Sequence, residues 1–366
     1  MSRHLAWFFS AVVMQAVCAP LQALNYEVGG CKTGASYVNF TTISAAVVGV
    51  PAGATIQICP GVYPEQVTIT QPLTLQGIRS GNANRAVITI NPNGSLAPNV
   101  TSSINGLAFY AQVLVQNVNP AGPVNMIGIT VDGSGDNAGC SAETLAGIFY
   151  ASSTSGTVNE VTARNQVNGG CGWGIWGENG AASSQTIAIE NTSVHNAGFD
   201  GGGIGAFSVS PPTLSATISG NFLSNTGFFG IDDSSSGVIA GNVITSGSAG
   251  PAIFVNADSL TVSANTVADS GMGIETKGAS TVVANKLSNV GDSIALFPDV
   301  AATIQSNTIK NTFCGIDFSG GSSSGTISGN SFNDSLYGFA NWAGPTIFGN
   351  SLDNIDSVQT TSASCP

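Results

Sequence analysis

One pattern constrains this chain more than any other: a small residue, then asparagine, then an apolar residue two places on. It recurs at Asn221, Asn242, Asn265, Asn285, Asn307, Asn330 and Asn350, in steps of 21, 23, 20, 22, 23 and 20 residues. Asn191 opens the series one longer step of 30 residues earlier. The segments read ISGNFLSN, IAGNVITS, VSANTVAD, VVANKLSN, IQSNTIKN, ISGNSFND and IFGNSLDN. A period of about 22 residues is too short for a propeller blade or a helical-pair repeat. Apolar and polar residues alternate within each segment, and Val, Ile and Thr dominate, which argues for strand over helix. Each repeat is therefore one coil of two or three short strands. A lone coil cannot bury its apolar face, whereas stacked coils share a continuous core. The expected fold is all-β, a right-handed single-stranded parallel β-helix whose coils lie about 4.8 Å apart, as strands do in any sheet.

The asparagine column is read as structural. Asparagine tolerates the left-handed conformation that tight turns need, and stacked amides can hydrogen-bond along a solenoid. A second column, Gly then Ile, marks the following strand at Gly147-Ile148, Gly174-Ile175, Gly203-Ile204, Gly230-Ile231, Gly273-Ile274 and Gly315-Ile316. Ile253, Ile294 and Phe339 hold the same place without the pair. Residues 80–145 are expected to form further coils with insertions.

The chain opens on a basic Met1-Ser2-Arg3-His4 and an apolar run from Leu5 to Ala19, then Pro20 to Ala23. That is the layout of a secretory signal peptide over residues 1–23, too short to span a bilayer comfortably. The β-helix domain would occupy residues 24–366. Six cysteines then remain: Cys31, Cys59, Cys140, Cys171, Cys314 and Cys365. An even number suits an oxidising compartment, extracellular or periplasmic. Neighbour pairing (Cys31–Cys59, Cys140–Cys171, Cys314–Cys365) is the favoured one of fifteen possibilities. Charged residues are only 8% of the chain, and the net charge is −12. With no cluster of Lys and Arg, nucleic acid is excluded as a partner. The acidic, weakly charged surface suits a monomer handling neutral or partly neutral ligands.

The N-terminal segment from Tyr37 to Val48, then Ile56 to Ile69 with Gly61-Val62-Tyr63-Pro64-Glu65, then Leu73-Thr74-Leu75-Gln76-Gly77 resembles the opening of the pectin-lyase-like superfamily, in particular its pectinesterase-type entry. The resemblance implies a helix over Thr41 to Val48 capping the solenoid, with the first strands over Val67 to Leu75. The downstream coils resemble the β-helix repeats of NosD-like and polysaccharide-modifying proteins. The catalytic motifs of pectinesterases and polygalacturonases are not carried over. Only Gly315-Ile316-Asp317-Phe318 and Asp232-Asp233 are reminiscent of them.

Strand alternation turns the residue after each inward Ile outward. Read along the solenoid, this outward column runs Phe149, Trp176, Gly205, Asp232, Phe254, Glu275, Ala295, Asp317, Ala340. Asp232, Glu275 and Asp317 fall two coils apart, about 9.6 Å along the axis. Carboxyl groups about 6.5–9.5 Å apart can act as acid and base of an inverting glycosidase. They are the candidate catalytic residues. Phe149, Tyr150, Trp173 and Trp176 are candidate sugar-stacking faces, and Lys277 could anchor a substrate carboxylate. His195, the single histidine after residue 23, is most simply a turn residue. Copper handling would want Met and His, and beyond residue 23 only Met126, Met272 and His195 remain. No cofactor is expected, with one alternative: Asp132, Asp136 and Glu143 match the ligand spacing of a calcium loop, although Asn137 replaces its glycine. The leading expectation is a secreted protein that binds a polysaccharide and cleaves or modifies it along an exposed parallel sheet. The rival is a non-catalytic envelope, adhesion or glycan-binding scaffold.

Overall fold

The computed structural model describes residues 24–359 apart from 33, 35, 80–85, 92–95, 137–142, 168–169, 210, 246–248, 298–299, 319–323 and 342–345. The segment read as a signal peptide lies outside them. The chain winds as a parallel β-helix with three strand columns per coil. One column is a 14-stranded sheet running from Asn25–Val28 and Tyr37–Phe40 to Thr346–Phe348. The second and third columns belong to a 20-stranded sheet. In the last coils they merge into single long strands such as Thr266–Thr276 and Lys286–Leu296. Val, Ile and Leu from all three columns fill one continuous core, with Ile204, Ile231, Ile253, Ile294 and Ile316 fully buried.

The asparagine column forms a buried ladder at the corner between the first and second columns. Each Oδ1 accepts from both the backbone N–H and the Nδ2 of the asparagine one coil back. For Asn265 the distances are 2.9 Å to Asn242 N and 2.9 Å to its Nδ2. The Nδ2 of Asn265 donates onward to Asn285 Oδ1 at 2.9 Å and to Ile239 O at 3.0 Å. The left-handed conformation belongs to the small residue before it: Gly220, Gly241, Ala264, Ala284 and Ser306 have φ of 63°, 64°, 54°, 57° and 56°. The asparagines are thus kept for their amides and not for turn tolerance. Asn191 is not the first rung. It takes the left-handed place (φ 51°), and Thr192 holds the rung, donating its N–H to Asn221 Oδ1 at 2.9 Å.

The glycines of the Gly-Ile column have a different cause. A Cβ on Gly203 would lie 2.7 Å from Gly230 O, and one on Gly315 would lie 2.6 Å from Gly338 O. Coils pack too closely at this corner for any side chain.

At the N-terminal end the helix Ile43–Gly49 covers the core, close to its expected span. Glu65 caps it, accepting from Ile43 N and Ser44 N, both at 2.8 Å. Tyr63 Oη donates to Cys59 O at 2.8 Å. The Gly-x-Tyr-x-Glu segment is therefore a capping device. Sheet pairing begins earlier than expected, with Asn25–Val28 on Tyr37–Phe40 and Thr55–Ile58. The described residues between 80 and 145 belong to further coils, as expected, and the first of these is long: Val124–Ile127 pairs directly with Leu73–Gly77. Its length comes from an insertion in which Val100–Thr101 pairs antiparallel with Ala108–Val115.

Cys31 and Cys59 form a disulfide. Cys171 and Cys314 are also disulfide-bonded, and their partners, like Cys140 and Cys365, lie outside the described residues. No helix among the described residues is long and apolar enough to cross a membrane.

Candidate functional site

The outward column falls into one register along the third strand column. Phe149 pairs with Trp176, Trp176 with Gly205, and Gly205 with Asp232. Asp232 pairs with Phe254, Phe254 with Glu275, Glu275 with Ala295, and Ala295 with Asp317. Alternation set this directly: the buried Ile in each coil fixes which neighbour turns out.

The aromatic end of the column is not open. Phe149 and Trp176 point away from the solenoid core yet are 0% and 4% exposed. They pack with Phe109, Trp173 and Phe207 into a second apolar cluster, flanked by Val100 of the insertion. Glu178 fastens that insertion. Its carboxylate accepts from Ser102 Oγ (2.6 Å), Ser103 N (2.7 Å), Ser103 Oγ (2.9 Å) and Trp176 Nε1 (3.0 Å). Tyr150 faces inward, its hydroxyl donating to Val124 O at 2.7 Å, and burial raises its pKa. Phe149, Tyr150, Trp173 and Trp176 therefore offer no open stacking face, a correction to the sequence expectation. Alternation gives direction, and a roof folded over the sheet decides access.

The acidic end is open on one side. A cleft of about 490 Å³ is lined by Asp232, Phe254 and Lys277, with Phe207 and Ile104 of the insertion among its walls. Asp232 is pushed up to about 8, by burial first, then by the charges of Asp233 and Glu275, against the pull of Lys277. It therefore holds a proton at neutral pH. Burial also raises Glu275, while Lys277 opposes the shift. Asp317 accepts from Asn341 Nδ2 at 2.7 Å. Asp233 points inward and serves its turn, accepting from Ser235 N at 2.7 Å. The Lys277 ammonium lies 4.8 Å from the Phe254 ring centroid and 4.2 Å from that of Phe297. The exposed lysine thus lies over two rings at the edge of the cleft, as cation–π geometry favours.

Asp292 belongs to this group and escaped the sequence reading. It pairs with Met272 and Cys314, is 6% exposed, and its Oδ1 has no hydrogen-bond partner. Burial, then the charges of Asp317 and Glu275, raise it to about 7. It precedes the inward Ile294 by two, at the corner where strand alternation breaks, so a count from the isoleucine misses it.

The calcium-loop residues are otherwise engaged. Asp132 accepts from Arg164 Nε at 2.8 Å, Asn165 Nδ2 at 2.9 Å and Ser134 N at 3.0 Å. Burial pushes its pKa up, but these bonds outweigh it and hold the carboxyl below its ordinary range. Residues 137–142 and the Glu143 side chain lie outside the described residues. His195 lies in the strand Ser193–Ala197, opposite Arg164 of the preceding coil, and burial, then the Arg164 charge, lower its pKa.

The sequence profile of the NosD family, described as periplasmic copper-binding protein, matches residues 179–364. The chain belongs to the NosD family. No curated protein matches it. Among solved structures, the catalytic domain of a GH87 α-1,3-glucanase in complex with nigerose is similar at 14% identity and TM-score 0.57, covering 93% of this chain and 66% of that one. A tailspike variant of E. coli bacteriophage HK620 bound to a pentasaccharide is similar at 14% and 0.55, covering 87% and 59%. Pectate lyase Pel9A is similar at 13% and 0.52, covering 93% and 81%. The chain thus spans less than two thirds of the tailspike's length. These likenesses show the parallel β-helix fold.

The donors of Met126, His195 and the Glu27–Cys31–Cys59 group do not fit a copper centre. Met126 is fully buried in the core. His195 sits half-buried beside Arg164, in a place that disfavours added positive charge. Among the described residues, one group of three metal-type ligands lies within 4.8 Å: Glu27, Cys31 and Cys59. Its two sulfurs are joined to each other.

Proposed function

We propose that this chain is an exported protein that binds a polysaccharide along the acidic end of the third strand column and hydrolyses it. The observation that carries the reading is the register Asp232–Phe254–Glu275 beside an open cleft, with Asp232 holding its proton at neutral pH. Asp232 would donate that proton to the glycosidic oxygen as the C–O bond breaks. Glu275 would take a proton from the water that attacks the opposite side of the sugar. Their backbones lie two coils apart, about 9.6 Å, which leaves room for that water once the side chains converge. The disulfides and the family's periplasmic description support an oxidising destination.

A non-catalytic scaffold is favoured by one observation: the roof over Phe149 and Trp176 shortens the open face. A product assay separates the two. The protein is incubated with pectins, alginates, glucans, xylans and amino-sugar polymers, and new reducing ends are counted. Hydrolysis that falls at least about 100-fold in Asp232→Asn and in Glu275→Gln supports the enzyme, in line with the weight of general acid and base groups. Silence from a folded protein across the panel supports the scaffold.

A further inference from the structure

We propose that the acidic face selects a glycan carrying free amino groups, an amino-sugar polymer, over polyuronates and over neutral chains; this rests on the glycan-binding reading above. Glu275, Asp292 and Asp317 sit on three consecutive coils, and the charges of Glu275 and Asp317 both act on Asp292. Asp292 is nine-tenths buried, and its Oδ1 has no hydrogen-bond partner. A buried carboxylate oxygen without a donor is costly, and an ammonium is the donor that also relieves the repulsion around it. The three carboxyl groups do not gather within 4.8 Å as ligands of one ion would. They are spread along the solenoid axis, as a chain ligand with repeated charges requires. Ala295 lies between Glu275 and Asp317 in the register.

The reverse charge pattern is unsupported. Lys277 is the lysine at this face, and its ammonium already lies over Phe254 and Phe297. A polyuronate would meet Asp232, Glu275, Asp292 and Asp317 with that single cation to pair it.

The test is calorimetric titration of the full chain with three probes at fixed ionic strength: a glucosamine oligomer, its N-acetylated form, and an oligogalacturonate of equal length. The glucosamine oligomer is expected to bind about ten-fold tighter than the acetylated one, the gain from one charge-assisted pair, with no detectable binding of the oligogalacturonate. Asp292→Asn and, separately, Asp317→Asn should erase that preference, while Asp353→Asn, an exposed acid of the second column, should keep it. Equal binding of the two hexosamine oligomers, tighter binding of the uronate, or an unchanged preference in both groove variants overturns the inference and leaves the glycan-binding reading standing. Absence of binding to all three probes, together with a silent product assay, overturns both.

Discussion

The two ends of one outward column differ in everything except register. Leu114, Phe149 and Trp176 follow one another coil by coil just as Asp232, Phe254 and Glu275 do. At the first end an insertion closes over the sheet, and the aromatic side chains become a second core. At the other end the coils are short, and a cleft lined by Asp232, Phe254 and Lys277 stays open, with Ile104 of the insertion at its wall. A solenoid therefore supplies a site only where the coil lengths leave it bare.

The largest effect is expected at the buried asparagine ladder. Asn265→Ala removes the acceptor used by Asn242 N and Nδ2 and the donor used by Ile239 O and Asn285 Oδ1. Stranding such buried groups should cost about 3–5 kcal/mol, read as a fall in the urea midpoint. The coils carrying Asp232 and Glu275 should loosen first by hydrogen exchange, ahead of the roofed end. At that end Glu178→Ala, which frees Ser102, Ser103 and Trp176 Nε1, should cost about 2–3 kcal/mol. It should also open Trp173 and Trp176 to acrylamide quenching. Unchanged quenching would mean that the roof is held by packing alone.

Acidity gives the next effect. Asp232 is raised to about 8, and Asp233 and Asp292 to about 7, so the folded chain keeps protons that the unfolded chain releases near pH 4. Their contribution to stability is therefore complete below about pH 4 and is lost as pH rises through about 7–8. The melting temperature should fall between about pH 5 and about pH 9, and Asp292→Asn should flatten part of that slope. A melting temperature that rises over the same interval would contradict the burial of these acids.

The smallest effect belongs to the exposed ladder at the other corner. There Asn311 Nδ2 donates to Asn289 Oδ1 at 3.2 Å, and Asn289 Nδ2 to Asp269 Oδ1 at 3.0 Å. Asn289→Ala should cost only about 0.5 kcal/mol, because water replaces the lost partners. A cost near that of Asn265→Ala would show that burial is not what gives the inner ladder its weight.

The sequence carried the column because Gly-Ile repeats once per coil and alternation does the rest. The placements of Asp232, Glu275 and Asp317 followed from it. Asp292 did not, since alternation fails at the corner between strand columns. Tyr150 was misplaced because proximity in sequence to Phe149 puts it on the opposite face of the strand. The roof was unreadable for another reason: residues 90–107 repeat nothing, so no period assigns them a place. The asparagine column was recognised, but its cause was misread. The neighbouring Gly, Ala or Ser takes the left-handed turn, and the amide is what the stack needs.

The central claim is that the open end keeps a protonated acid within one register of a carboxylate base. Carboxyl carbon resonances of the Asp- and Glu-labelled protein, followed by NMR from about pH 4 to about pH 9, test it directly. The account predicts one resonance titrating near 8 that is absent from Asp232→Asn and moves to lower pH in Glu275→Gln, where a neighbouring negative charge is lost. Aspartates that all titrate below about pH 5 would contradict it.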